Sequence, residues 1–392
     1  SSLLCFTSFF QQKRKGYDTS VGDVYKYFGK MCASDEQVSV GSKEEESLPT
    51  AVDSYATTAS MRKPPPTLED RQNESIWQSI YLTLVILLNT VMYLAVICFV
   101  VYFAAVYYAP WTWLRTLLLL YIPYCLLDRT HLQGATRWVS FETIEWVRSL
   151  PTFWASTAYF PAMLHKTVDL DPSQPYILSY HPHGVIGMGV NCTLNTNCAG
   201  FRELFPGLRR WGVTLREVFY LFLVRDYVLL AGFISADRQA LLDKLRQGDS
   251  IVLITGGAAE ALYAQSGRFT LYLKRRQGFL KLALETGAAV VPCLGFGEND
   301  AFSSMDATQL GYGAALMDVL LRIRKVLRFS TPLVTWPVPL RNPINVVVGA
   351  PLRFAPDTPV EDCHAQYIAA VTKLYNEHKS KYGHKEIPLE II

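Results

Sequence analysis

Between Ile76 and Ala109 the chain carries no charged side chain, and that run limits what can be built before and after it. As one helix rising about 1.5 Å per residue it would be about 51 Å long, well over the roughly 30 Å hydrocarbon core of a bilayer. One straight span cannot use all of it. A second apolar stretch, Trp111 to Leu127, is broken only by Arg115 and closes at Asp128-Arg129. The two read as a membrane-embedded helical hairpin over 76–128 that turns near Ala109-Pro110, with Tyr107, Tyr108, Trp111 and Trp113 as interfacial rings. Basic residues on both flanks, Arg62, Lys63 and Arg71 before and Arg129 and Arg137 after, place both ends on the cytosolic side. A tilted span followed by a membrane-dipping helix fits the same residues. A buried soluble helix pair fits them least, because charge-free runs of this length are rare in cytosolic cores.

The rest of the composition agrees with a lipid setting. Of 392 residues 50% are hydrophobic and only 18% charged, low for a soluble chain. A net charge of +3, with no basic stripe interleaved with stacking aromatics, argues against a nucleic-acid partner. The cysteines (Cys5, Cys32, Cys98, Cys125, Cys192, Cys198, Cys293, Cys363) are scattered without a CxxC pair, which fits a reduced compartment and neither a zinc ribbon nor a secreted disulfide fold. Residues 1–75 are polar and aperiodic, with Lys43-Glu44-Glu45-Glu46 and Pro64-Pro65-Pro66; such a segment cannot offset its chain entropy by burial and reads as disordered. It lacks the basic start, apolar core and cleavage site of a signal peptide. The chain opens on Ser1 rather than Met, as a chain trimmed at its amino end would.

From 129 to 392 the pattern alternates. Apolar strands are expected at Tyr176–Tyr180, Ser250–Ile254, Ala289–Leu294 and Ile344–Val348, separated by helical segments such as Asp237–Gln247, closed by Gly248, and Phe279–Thr286, closed by Gly287. That order argues for an α/β domain with a largely parallel sheet flanked by helices. Open sheets of this kind keep their sites at the carboxyl ends of strands.

One such end reads Tyr180-His181-Pro182-His183-Gly184. If the extended geometry continues, His181 and His183 point the same way, and two imidazoles at a rigid strand end suit proton transfer or metal binding. The bland reading is a pair of rings satisfied by backbone carbonyls. A second end, Thr255-Gly256-Gly257-Ala258-Ala259-Glu260, pairs glycines that let backbone approach closely with a carboxylate that meets an imidazole if the two strands are neighbours. A third block, Lys274-Arg275-Arg276 before Gly278-Phe279, offers cations for phosphates or anionic headgroups, or forms a solvated basic corner. Leu316–Phe329 has apolar residues at helical spacing opposite Arg322, Arg324, Lys325 and Arg328, as in a helix packed on the domain or lying on a membrane. GxSxG, P-loop, GxGxxG and HExxH patterns are absent, which removes the usual support for a serine hydrolase, a P-loop nucleotidase and a zincin. A metal-dependent hydrolase would need ligands beyond the two histidines, and His131, His165, His364, His378 and His384 form no HxxH or carboxylate cluster.

Together Tyr159-Phe160-Pro161, His181-Pro182-His183-Gly184, Gly256-Gly257-Ala258-Ala259-Glu260, and Arg276 through Gly278-Phe279 to Pro292 and Phe296-Gly297-Glu298 closely resemble the type 2 diacylglycerol acyltransferase family, which includes monoacylglycerol and wax-alcohol acyltransferases. The likeness covers roughly Trp111 to Phe354, behind the expected hairpin. It implies a glycerolipid-acyltransferase-like fold and transfer of a fatty acyl group from acyl-coenzyme A to the hydroxyl of diacylglycerol, at the endoplasmic reticulum membrane and on lipid droplets. It further implies no metal and no cofactor beyond the acyl-coenzyme A co-substrate. A homo-oligomer is compatible with it. With the readings above, the candidate catalytic residues are His181, His183 and Glu260. The candidate substrate-binding residues are Tyr159, Phe160, Pro161, Gly184, Gly256, Gly257, Lys274, Arg275, Arg276, Phe296 and Glu298. Related glycerolipid acyltransferases place an Asp four residues after the His. Here that position is Val185, so Glu260 is the candidate acid. A lipid-droplet structural protein, with the hairpin as its function, is the reading from another class.

Overall fold

The computed structural model describes residues 95–222, 224–304, 319, 322, 334 and 338–392. The expectations for 1–75, for 76–94 and, Val319 and Arg322 aside, for Leu316–Phe329 fall outside the described residues. Helix α1 (Ala95–Tyr108) and helix α2 (Thr112–Leu127) meet at Ala109-Pro110-Trp111, where the bend was expected. At about 1.5 Å per residue α2 is about 24 Å long, short of a hydrocarbon core, and no helix among the described residues is long and apolar enough to cross a membrane. The pair leaves Tyr107, Tyr108, Trp111, Trp113 and Leu120 more than half exposed.

Two short helices follow, α3 (Phe141–Val147), whose first turn is capped by the Ser140 hydroxyl, and α4 (Pro151–Tyr159). The sheet strands are β1 (Met163–Lys166), β2 (Tyr176–His181), β3 (Arg210–Thr214), β4 (Phe233–Ser235), β5 (Ser250–Ile254), β7 (Ala289–Phe296) and β8 (Asn345–Val348), in the spatial order β1-β8-β7-β2-β5-β3-β4. From β7 to β4 every neighbouring pair is parallel; β8 runs antiparallel to β7 and carries β1 parallel to itself. The sheet is therefore largely parallel and mixed at one edge. A separate parallel pair joins β6 (Phe269–Leu271) to β9 (Leu389–Ile391). The helices between and after the strands are α5 (Met188–Thr193), α6 (Val224–Leu230), α7 (Arg238–Arg246), α8 (Gly278–Thr286) and α9 (Val360–His378).

Because side chains alternate across a strand, the sheet sorts its residues into two cores. Ile177, Ile251, Val290 and Leu294 join the core that holds Phe279, Leu280, Tyr367 and Tyr375, from α8 and α9. Leu178, Tyr180, Val252, Val291 and Cys293 join the opposite core with Phe160, Met188 and Val190. With both faces covered, β2 is buried along its whole length, which is why it reads as a near-continuous apolar run.

Behind the sheet, the buried guanidiniums of Arg148 and Arg210 and the partly buried carboxylate of Glu145 knot α3 to β3. Glu145 Oε1 accepts from Arg148 Nη1 at 2.6 Å and from Arg210 Nη1 at 3.3 Å. Arg148 also donates to the carbonyls of Ala231, Arg210 and Gly232, so its donors end on backbone rather than on water.

Candidate active site

β7, β2 and β5 are adjacent and parallel, so their carboxyl ends bring together residues far apart in the chain. Tyr180 stands level with Ile254 on one side and Cys293 on the other. β2 runs out at His181, β5 runs into Thr255-Gly256-Gly257, and β7 runs into Gly297-Glu298. Three of the blocks that stood out in the sequence share one edge.

His181 has the same strand parity as Ile177 and Ser179 and so faces the core covered by α9. Its ring is 0% exposed. Nε2 lies 3.0 Å from the Tyr367 hydroxyl and 3.1 Å from Thr255 Oγ1. Tyr367 donates to Ser179 Oγ at 2.6 Å, and the Ser179 and Thr255 hydroxyls are bonded to each other. Nδ1 has no hydrogen bond but faces Glu260 Oε2 at 3.7 Å. Glu260 thus meets an imidazole across neighbouring strands.

His183 is placed differently, and the two rings do not share a direction. The strand closes at His181, so Pro182 and His183 lie beyond the ladder on which that expectation rested. His183 is half-buried. Its Nδ1 sits 3.1 Å from the Gly184 carbonyl. A carbonyl only accepts, so Nδ1 carries the proton and Nε2 keeps the lone pair. Burial holds the ring below the ordinary histidine value and outweighs the opposite pull of Glu260. At neutral pH the ring is uncharged and can take a proton at Nε2.

Glu260 is 1% exposed and joins the two histidines. Oε1 accepts the His183 backbone N–H at 2.6 Å, and Oε2 accepts the Tyr272 N–H at 2.8 Å. The space for its carboxylate exists because residue 256 is glycine: a Cβ there would lie 2.1 Å from Oε2. Arg276 Nη2 holds the same turn by donating to the Gly256 carbonyl at 2.8 Å, and Gly257 follows at φ 60°. The basic triplet is therefore split. Arg276 turns inward over the Tyr272 ring, while Lys274 and Arg275 stay exposed.

Glu298 is also buried, on the other side of β2. It receives the Tyr180 hydroxyl and the Gly189 N–H on Oε2, both at 2.6 Å, and the Met188 N–H on Oε1 at 2.8 Å. These are all groups of the protein itself. Burial raises its carboxyl to about 7 despite those three bonds. Gly184 packs against it, since a Cβ at that position would stand 2.6 Å from Oε1. Phe296 lies in an aromatic cluster with Phe269, Tyr375 and Tyr382. Tyr159 donates to the Pro339 carbonyl at 2.6 Å beneath the Arg341 guanidinium, and Phe160 and Pro161 are buried beside it. The Tyr159-Phe160-Pro161 block thus braces the chain around Pro339–Arg341. The Cys192 thiol is buried and pushed far up by that burial, which denies it the thiolate form of a nucleophile. Among the described residues no three His, Cys, Asp or Glu side chains are gathered to hold a metal.

Spacing assigns no role to Ser179, Thr255 or Tyr367, although Thr255 opens the second strand-end block. A signal existed for the first: Ser179 is the one small hydroxyl residue in an apolar strand, two residues before a histidine. Nothing local marks Tyr367.

Residues 105–392 match the family model described as diacylglycerol acyltransferase. The chain belongs to that family. The His181-Pro182-His183-Gly184 turn, Glu260 and the block ending at Glu298 all lie inside the matched region of this acyltransferase. It is 37% identical over 259 residues to diacylglycerol O-acyltransferase 2A of Umbelopsis ramanniana, covering 61% of this chain and 72% of the relative. It is 35% identical over 281 residues to 2-acylglycerol O-acyltransferase 1 of Bos taurus, covering 67% and 82%. Diacylglycerol O-acyltransferase 1 of Schizosaccharomyces pombe is 30% identical over 356 residues, 86% of this chain and 96% of the relative. Among solved structures, the 1-acyl-sn-glycerophosphate acyltransferase PlsC of Thermotoga maritima aligns at a TM-score of 0.39 and 12% identity, covering 75% of this chain and 97% of that one.

Proposed function

We propose that this acyltransferase moves a fatty acyl group from acyl-coenzyme A to the free hydroxyl of diacylglycerol, with His183 as general base and no acyl-enzyme. The supporting observation is the state of His183: Nδ1–H is spent on the Gly184 carbonyl, leaving the Nε2 lone pair on a half-buried ring at the carboxyl edge of the sheet. Nε2 takes the hydroxyl proton as the oxygen attacks the thioester carbonyl. The carbon–sulfur bond then breaks, and the coenzyme A thiolate takes the proton back from the imidazolium. Glu260 favours the imidazolium in passing, since its charge pulls His183 towards protonation. The thioester is already activated, so no covalent intermediate and no cofactor is needed.

The lipid substrates and the exposed aromatic and aliphatic side chains of α1 and α2 support a seat on the endoplasmic reticulum membrane or a lipid droplet, held through 76–128 with the catalytic domain on the cytosolic side. The relatives include 2-acylglycerol acyltransferases, which makes monoacylglycerol a second acceptor to test.

His183→Ala in purified full-length protein is expected to lose about 100- to 10,000-fold in rate. Near-normal triacylglycerol synthesis by that variant rejects the assignment. Because a base works unprotonated and burial lowers the pKa of His183, the acid limb of kcat/KM is expected below the ordinary histidine value of 6.5. Diacylglycerol, monoacylglycerol and a long-chain alcohol assayed side by side, with products identified by mass, decide the acceptor. No transfer to any of them leaves the structural-protein reading standing.

A further inference from the structure

We infer that Tyr367, Ser179 and Thr255 form a hydroxyl chain that fixes His181 with its Nδ1–H facing Glu260, making Tyr367 and Thr255 positioning residues for the reaction. The inference rests on the reading of His183 as base and adds the device that holds it in place.

His181 Nε2 has two hydroxyl oxygens in reach, Tyr367 at 3.0 Å and Thr255 at 3.1 Å, so the carboxylate facing Nδ1 decides the tautomer, and the hydroxyl protons can be ordered to match it. Tyr367 donates to Ser179 at 2.6 Å. Ser179 then has its proton free for the Thr255 oxygen, to which it is bonded. That leaves the Thr255 proton for His181 Nε2, 3.1 Å away. An imidazole that accepts at Nε2 carries its hydrogen on Nδ1. Nδ1 is the ring nitrogen without a hydrogen bond, and the nearest charged group to it is Glu260 Oε2 at 3.7 Å. In this tautomer the positive end of an N–H faces the carboxylate. In the other tautomer a lone pair would face it, in a site sealed from water.

Glu260 passes the constraint on. Its other oxygen holds the His183 backbone N–H at 2.6 Å, so the position of the base depends on where that carboxylate sits. The chain therefore runs from α9, through the exits of β2 and β5, to the residue that meets substrate. None of the three hydroxyls is exposed, which separates them from substrate-binding groups.

Three variants of the full-length enzyme test this: Tyr367→Phe, Thr255→Val and Thr255→Ser. Phe keeps the ring that packs on Phe279 at 4.8 Å, so that contact is retained while the first donor is lost. Tyr367→Phe and Thr255→Val are expected to lower kcat by about 10- to 100-fold, as misplacing a catalytic group does. KM for acyl-coenzyme A and for the acceptor should stay within about twofold, because no substrate contact is removed. Thr255→Ser should keep most of the wild-type rate. Wild-type kcat in Tyr367→Phe overturns the chain, as does Thr255→Val performing as well as Thr255→Ser. If Tyr367→Phe misfolds, the Val and Ser pair still decides. An inactive His183→Ala beside a fully active Tyr367→Phe removes the chain and leaves the base assignment intact; an active His183→Ala removes the base assignment itself.

Discussion

Glu260 and Glu298 follow the ends of two strands that flank β2, and their neighbours give them different roles. Glu260 faces one imidazole and holds the backbone of the other, whereas Glu298 takes its hydrogen bonds from the Tyr180 hydroxyl on β2 and from two backbone N–H groups at the start of α5. The folded-state value of Glu298, about 7, lies above its ordinary 4.5. Its contribution to stability is thus fully present below 4.5 and is lost as pH rises to about 7. Glu298→Gln, whose amide nitrogen must face one of the two backbone N–H groups, should be less stable by about 1–3 kcal/mol at the acid end. The gap should narrow as pH rises, which thermal unfolding across that range would show; a gap that widens contradicts the burial argument. From the motif alone Glu298 looks like a substrate group. The parity of β2, which sends Tyr180 to the face opposite His181, shows why its carboxylate is met by a phenol and two amides.

At the level of elements, the strands and helices that could be read were those with a strong local pattern. β2, β5 and β7 are runs of apolar residues buried on both faces, and α7 and α8 end where Gly248 and Gly287 take left-handed conformations. β1 and β3 escaped because Met163-Leu164-His165-Lys166 and Arg210-Trp211-Gly212-Val213-Thr214 mix charge with apolar residues, a pattern that tertiary partners alone make tolerable. Arg210 is the clearest case. It is buried in a strand because Glu145 on α3, the Leu194 and Thr196 carbonyls and the Asn197 amide oxygen take its donors. Burial pushes the Glu145 carboxyl up, but Arg210 and Arg148 together draw it down to about 2. That contribution is present above the ordinary 4.5 and is lost as pH falls towards 2. Glu145→Gln would leave two buried guanidiniums without their shared anion, at an expected cost of about 3–5 kcal/mol. Denaturant unfolding at neutral pH should show the loss, and at strongly acid pH the variant and the wild type should converge.

On the scale of the whole molecule, the helical pair α1–α2 is docked on the α/β domain by a small mixed contact. Tyr102 stacks on Phe222 at 4.2 Å, Tyr121 bonds Asp226, and Arg225 pairs with Asp128 while lying 4.8 Å from the Tyr124 ring. Phe222→Ala should cost about 3–5 kcal/mol of local stability. Faster tryptic cleavage at Arg129, with the rest of the domain still protected, is the expected result. Unchanged protection at Arg129 would mean the pair is held by other contacts. The bend between α1 and α2, the alternation of strand and helix, and the placing of histidine, glycine and glutamate at strand ends are all written locally, in apolar runs and the residues that interrupt them. A parallel order of strands then gathers those ends with no further instruction. The choice of partners is not local: Tyr367 reaches Ser179 across 188 residues of chain. It was the packing of α9 on one face of β2 that sealed His181 among hydroxyls and left His183 with a free lone pair. Spacing along a chain records which residues are offered to an edge, and only the closing of both faces of the sheet settles which of them still meets the outside.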